Sequence, residues 1–267
     1  MSLPTALYVP RDSWLHRTDP RVKLAFALLA TVALMSLGSL QLFLLFLVLI
    51  HCLLLSARIP VARLAYVWRM MLPITILIPV LWPIFSSGSG TALLRVGPVS
   101  VTWTGIWQGL AMALRVDGLA FAFFVWLFTT DQVDIVLSFV SLGVPYEWGL
   151  IVAIALRYVP TLYDTFGQVM DAQRARGLVI PARNPLRAAQ AYVPALVPML
   201  VASLRTAENL SRALEARAFG APGRQRTSRR RLRFRGYDAF LLAVIVVLFG
   251  GVFAARLLWG FGMGPLL

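Results

Sequence analysis

Two short triplets carry the most suggestive chemistry in the chain: Ala175-Arg176-Gly177 and Ala216-Arg217-Ala218. Each sets one arginine between small residues at the end of a long amphipathic stretch, just before a helix stop. Gly177 with Pro181 forms one stop, and Gly220 with Pro222 the other. A guanidinium is flat, permanently charged and carries five N–H donors. Flanked by residues without bulk, it can enter a groove on another protein and pair with oxygens there. An arginine also complements the macrodipole at any helix C-terminus, so one triplet alone would carry little. The arrangement occurs twice, each time on a stretch with Tyr-Val-Pro near its apolar start (158–160 and 192–194). Duplication points to docking.

A second pair, Arg115 and Asp117, falls within a long apolar run. Charges at membrane depth are costly and mark functional or packing contacts. Two residues apart on a helix they do not face each other, so each needs a partner elsewhere. That partner is packing within the helix bundle, a second membrane subunit, or a solute. The bundle and the second subunit fit these positions better than the solute does.

Other chemistries are excluded. A phosphate-binding loop needs Gly-x-x-x-x-Gly-Lys-Ser/Thr, and the only lysine, Lys23, sits in Pro-Arg-Val-Lys-Leu. The chain is therefore not expected to hydrolyse ATP. No nucleophile constellation appears, so no catalytic residue is assigned. His16 and His51 are too few for a metal site, and one cysteine permits no intrachain disulfide. No cofactor is expected. His51 reads as a packed or interfacial residue, and Cys52 as a small buried hydrophobe in a leucine-rich helix.

The elements that position these residues follow from composition. Of 267 residues 59% are hydrophobic and only 13% charged, where soluble domains run about 45–50% and about 25%. A membrane-spanning helix needs about 20 apolar residues. Leu24–Leu55 is too long for one span, and Gly38-Ser39 with Gln41 divides it. The expected spans are 22–38, 40–56, 67–85 (with Pro73, Pro79 and Pro83), 105–128 and 237–259. Ser86–Gly90 reads as a loop. The first apolar run is expected to act as its own insertion signal, because residues 1–20 are polar and proline-containing. The chain is thus expected to be an all-α polytopic membrane protein with about five transmembrane helices. Residues 1–128 form a four-span bundle, 129–236 a helical domain inserted before the last span, and 237–267 that span and its tail.

Net charge is +14, and 24 of the 25 basic residues are arginine. Arg11, Arg17, Arg21 and Lys23 precede the first span, Arg58, Arg63 and Arg69 lie between the second and third, and fifteen arginines lie from Arg157 to Arg235. Positively charged loops stay cytoplasmic. All three groups fit one side of the membrane, leaving only Arg95, Arg115 and Arg256 elsewhere. The N-terminus and 129–236 are then cytoplasmic, and the C-terminus is outside. Trp82, Trp103, Trp107 and Trp259 fall at the outer boundaries as an aromatic belt. The basic run 224–235 reads as a cytoplasmic stop against anionic lipid, not as a nucleic-acid tail.

In the inserted domain, 146–177 begins apolar and turns polar, and as one helix it would be roughly 45 Å long. Residues 192–219 repeat the plan. At this point the chain resembles the transmembrane (T) component of energy-coupling factor transporters, the prokaryotic importers of vitamins and metal ions. The resemblance rests on Leu15-His16-Arg17-Thr18-Asp19-Pro20-Arg21-Val22-Lys23-Leu24, on Ala155-Leu156-Arg157-Tyr158-Val159-Pro160, and on the regions 172–177 and 215–220. It covers nearly the whole chain, and the paired arginine triplets are its most specific element. The second triplet departs from the family pattern, reading Ala-Arg-Ala where the family often has Ala-Arg-Gly. The resemblance implies a cell-membrane scaffold joining two ABC-type ATPase subunits to a small substrate-binding (S) membrane subunit. Arg176 would enter a groove on one ATPase and Arg217 the matching groove on the other. The alternative is a permease that binds its own substrate.

Overall fold

The computed structural model describes residues 8–85, 92–96, 99–179, 184–219, 232 and 234–259. The basic run from Arg224 to Arg231, the Ser86–Gly90 loop, the stop residues Pro181, Gly220 and Pro222, and the Trp259 side chain lie outside the described residues. The helices are α1 (Trp14–Arg17), α2 (Pro20–Ser36), α3 (Leu40–Ser56), α4 (Val61–Phe85), α5 (Trp103–Thr129), α6 (Gln132–Ser141), α7 (Tyr146–Ala175), α8 (Pro185–Ala191), α9 (Val193–Ala216) and α10 (Gly236–Trp259). The chain is an all-α polytopic membrane protein. A short antiparallel hairpin, β1 (Ala92–Val96) and β2 (Val99–Thr102), joins α4 to α5, where only a loop was expected. By length and composition α4, α5 and α10 can each cross a membrane, whereas α2 and α3 have 17 residues each.

Two compact units are present, residues 1–138 with 232–267, and residues 139–231. In the first, α5 is the central helix, packing against α2, α3 and α4, while α10 packs on α2. Its sequence explains this role. Gly105, Gly109, Ala111, Ala113 and Gly118 let neighbours approach closely. Phe121, Ala122, Val125 and Phe128 then fill the core against Ala30 and Ala33 of α2, Ile50 and Leu54 of α3, and Leu64 and Val67 of α4. Approach is tightest at Gly109, where an added Cβ would stand 2.9 Å from the Pro79 Cα and 3.0 Å from the Trp82 Cβ. The opposite faces carry bare apolar side chains, such as Leu45 and Leu49 on α3, Ile76 and Val80 on α4, and Val247 on α10. Such faces are stable only against lipid or a partner.

Three polar contacts tie one end of this bundle together. The Val9 N–H donates to the Phe128 carbonyl at 3.0 Å. Lys23 Nζ donates to the Thr129 carbonyl at 2.8 Å, and the Asp19 N–H donates to Asp238 Oδ1 at 3.0 Å. The starts of α2 and α10 and the end of α5 therefore share one end. Asp19 also caps α2, accepting from the Arg21 N–H, with Pro20 at the first helical position. Asp238 closes the start of α10 by accepting from the Arg235 N–H at 2.9 Å.

His51 is packed within the bundle. Its Nδ1 bonds to the Leu47 carbonyl at 2.8 Å and its Nε2 accepts from Trp68 Nε1 at 2.9 Å, which fixes the neutral Nδ1–H tautomer. Cys52, expected to be buried, is exposed. Apolar residues surround α3 almost entirely, so the sequence did not reveal that only Phe43, Ile50 and Leu54 turn into the core. Helix α4 starts at Val61, earlier than the expected 67, because Arg63 and Arg69 are accommodated within its first turns. The second unit starts at residue 139, so most of α6 belongs to the first.

Candidate coupling site

Helices α7 and α9 present the two arginine triplets. Each helix ends the same way. The Gly177 N–H donates to the Arg174 carbonyl and the Leu178 N–H to the Gln173 carbonyl, at 2.9 and 3.0 Å. At the second end the Ala218 N–H donates to Glu215 and the Phe219 N–H to Leu214, at 2.8 and 3.0 Å. These paired bonds form a Schellman motif, which closes a helix with one left-handed residue after the cap. Arg176 and Arg217 are both the C-cap residue. The left-handed positions are Gly177 at φ 92° and Ala218 at φ 55°. Both arginines therefore leave their helices from the same backbone geometry.

The triplets are exposed at both ends. Neighbouring charges are occupied within their own helix. Arg174 pairs with Asp171 at 3.3 Å, Arg212 with Glu208 at 3.9 Å, and Ser211 Oγ donates to Glu215 at 3.1 Å. Among the described residues Arg176 and Arg217 make no ion pair and no side-chain hydrogen bond. Among the described residues, local pairing thus leaves one unpaired guanidinium at each helix end.

The helices meet at one place. Phe166 stacks on Tyr192 with ring centroids 6.3 Å apart, and Gln173 Nε2 donates to the Pro194 carbonyl at 3.2 Å. Between these contacts lie the buried Met170 and Ala195. At 1.5 Å per residue Arg176 is roughly 9 Å beyond Met170, and Arg217 roughly 33 Å beyond Ala195. The arginines are not gathered into one cluster. They end two separate arms of unequal length.

Glycine pays nothing for a left-handed conformation that costs other residues roughly 1–2 kcal/mol. The departure of the second triplet from Ala-Arg-Gly therefore has a physical consequence. Ala218→Gly is expected to strengthen this helix end by about 1 kcal/mol, slowing exchange of the Phe219 amide hydrogen about fivefold. Hydrogen-exchange mass spectrometry checks this, and unchanged exchange would refute it.

Arg115 and Asp117 are engaged inside the bundle. Arg115 Nη2 donates to the carbonyl of Leu37, the C-cap residue of α2, and its guanidinium lies 5.0 Å from the Phe43 ring centroid. It therefore braces the corner between α2 and α3. Asp117, 1% exposed, meets the Thr75 hydroxyl on α4 at 2.9 Å. The two side chains serve different helix contacts, as their spacing requires. Sequence reasoning gave Asp238 no role, although it joins α10 to the Asp19 cap. Its only local signal is an acid at the start of an apolar helix.

The model of the CbiQ family, described as cobalt transport protein, matches residues 11–228. The chain is 32% identical over 265 residues to the energy-coupling factor transporter transmembrane protein EcfT of Clostridium kluyveri, covering 95% of this chain and 96% of that one. It is 31% identical to EcfT of Listeria innocua (93% and 96% covered) and 33% identical to EcfT of Heliobacterium modesticaldum (94% and 95% covered). With its paired arginine-capped helices and central membrane bundle, the chain belongs to the CbiQ/EcfT family and is the transmembrane energy-coupling component of an energy-coupling factor transporter.

Proposed function

We propose that α7 and α9 are the arms through which this chain engages two ABC-type ATPase subunits, Arg176 in a groove on one and Arg217 in the matching groove on the other. The observation that carries this reading is the repeated helix end: two C-cap arginines in the same Schellman geometry, exposed and without an ion pair among the described residues, while Arg174 and Arg212 are paired within their helices. ATP-driven approach of the ATPases moves the arms relative to each other, and that motion tilts a small substrate-binding membrane subunit held against the bundle. The bundle crosses the cell membrane five times through α2, α3, α4, α5 and α10, with the N-terminus and 139–231 cytoplasmic and the C-terminus outside. Clustering of basic residues at the α2, α3 and α10 ends supports this orientation. The chain hydrolyses no ATP. The cargo is a vitamin or a transition-metal ion, chosen by the substrate-binding subunit.

A permease that bound its own solute would need polar groups facing an opening. Arg115 and Asp117 are instead committed to Leu37 and Thr75. Reconstitution into liposomes separates the two readings. Uptake is expected only when both ATPases and a substrate-binding subunit are added, and ATP-driven uptake without the substrate-binding subunit would establish the permease.

A further inference from the structure

A cavity of about 170 Å³ opens at the end of the bundle where α2 and α10 begin and α3 and α5 finish. Its walls include Trp14, Val22, Phe26, Leu53, Leu241 and Ile245, and they are carbon throughout. Lys23 also lines it, but the ammonium is turned away to the Thr129 carbonyl, so the cavity sees the aliphatic stem. Dry apolar cavities of similar size hold benzene. At roughly 30 Å³ per methylene, close to the volume of one water, this one takes about five or six methylenes.

The rim is cationic. Arg17 is exposed and Arg21 partly exposed, next in sequence to the wall residues Thr18 and Val22, and exposed Arg235 is held at the same end because its N–H donates to Asp238, which also accepts from the Asp19 N–H. The acids near them are mostly withdrawn. Asp19 and Asp238 are buried and accept backbone N–H bonds, and Asp19 also lies 3.9 Å from Arg21 Nε, which leaves Arg17 and Arg235 without an ion pair among the described residues and Asp12 as the exposed carboxylate of residues 8–23. Trp14, 41% exposed at the mouth, is the kind of residue that settles at a lipid headgroup level. An aliphatic slot beneath an arginine-rich rim, in a protein bathed in lipid, is complementary to one kind of molecule.

We propose that this groove binds one acyl chain of an anionic phospholipid, with the lipid phosphate held by the rim arginines Arg17 and Arg235. The bound lipid then acts as a seal where α10 meets α2, a junction otherwise held by the Asp19–Asp238 bond and by Phe26 against Phe249, 5.8 Å between ring centroids.

The test uses the full chain, purified in mild detergent with the subunits that accompany it, and offered equal dioleoyl phosphatidylglycerol and dioleoyl phosphatidylethanolamine. Native mass spectrometry should show one phosphatidylglycerol retained at least tenfold in excess. Ile245→Trp, which fills the groove, should lower that occupancy at least tenfold, whereas Ile245→Ala should retain it. Arg17→Gln with Arg235→Gln should keep a lipid but lose the preference for phosphatidylglycerol. A phosphatidylglycerol carrying a photoreactive acyl chain should label peptides containing residues 14–26 or 241–245 in the unaltered protein, which needs no variant. Equal retention of both lipids, labelling elsewhere, occupancy unaffected by Ile245→Trp, or a co-purifying polypeptide cross-linked in the groove would each overturn the proposal.

Discussion

Arg176→Glu combined with Arg217→Glu is expected to abolish solute uptake and to strip the ATPase subunits from the complex. In the proposed docking, each reversal would put a carboxylate where the groove receives a five-donor cation. The new charge is desolvated and meets acceptors where it needs donors. Breaking one buried charge contact at an interface costs about 2–5 kcal/mol. The two arm ends are far enough apart for the losses to add, so assembly weakens roughly a thousandfold or more. The fold should not suffer, because both side chains are exposed and make no ion pair or side-chain hydrogen bond among the described residues, and the caps are made by backbone groups. ATPase recovery on a tagged chain and uptake in cells measure the effect, with thermal stability in detergent as the control. Arg176→Lys with Arg217→Lys keeps the charge but loses the planar fork, and should fall between. Normal uptake and ATPase recovery from the double glutamate variant would remove the arginines from the mechanism.

Gly109→Leu is expected to be the most destabilising single change in the membrane bundle. The Cβ would meet the Pro79 Cα at 2.9 Å, and a backbone atom cannot rotate aside as a side chain can. Relief requires α4 and α5 to separate, at the contact that places Thr75, one turn along α4 from Pro79, against Asp117, about two turns along α5 from Gly109. Overpacking costs about 1–3 kcal/mol for added methylenes, and a leucine against backbone sits at or above the top of that range. The apparent Tm in detergent should fall by roughly 10 °C. Gly251→Ala in α10 supplies the control, since nothing lies within 4 Å of a Cβ there, and its Tm should not fall. A Gly109→Leu protein melting within about 2 °C of the original would show that the α4–α5 contact is looser than the structure has it.

Helix ends were the most legible feature of the sequence. Gly38-Ser39 separates α2 from α3 and Gly177 ends α7, each from a local residue whose conformational freedom or capping chemistry does the same work in any protein. The triplets were legible for the same reason, since small residue, arginine and stop are all within one turn. Contacts between distant segments were not. Asp19 and Asp238 are 219 residues apart, and no periodicity connects them. The buried face of α3 was hidden because leucine and valine surround it on all sides, which suits lipid and core equally. Ala218 was read as a small flank, and only the backbone shows it in the position a glycine would hold most cheaply. The different reach of the two arms was hidden too, because it depends on where α7 and α9 meet.

The adaptor role of the chain is tested most directly by one measurement. The tagged, unaltered chain is purified gently from its native membrane and its companions are identified. Recovery of ABC-type ATPase subunits together with a small hydrophobic membrane protein is the predicted result. A stable chain recovered alone that still binds a solute would contradict it, and Arg176 and Arg217 would then be ordinary helix ends.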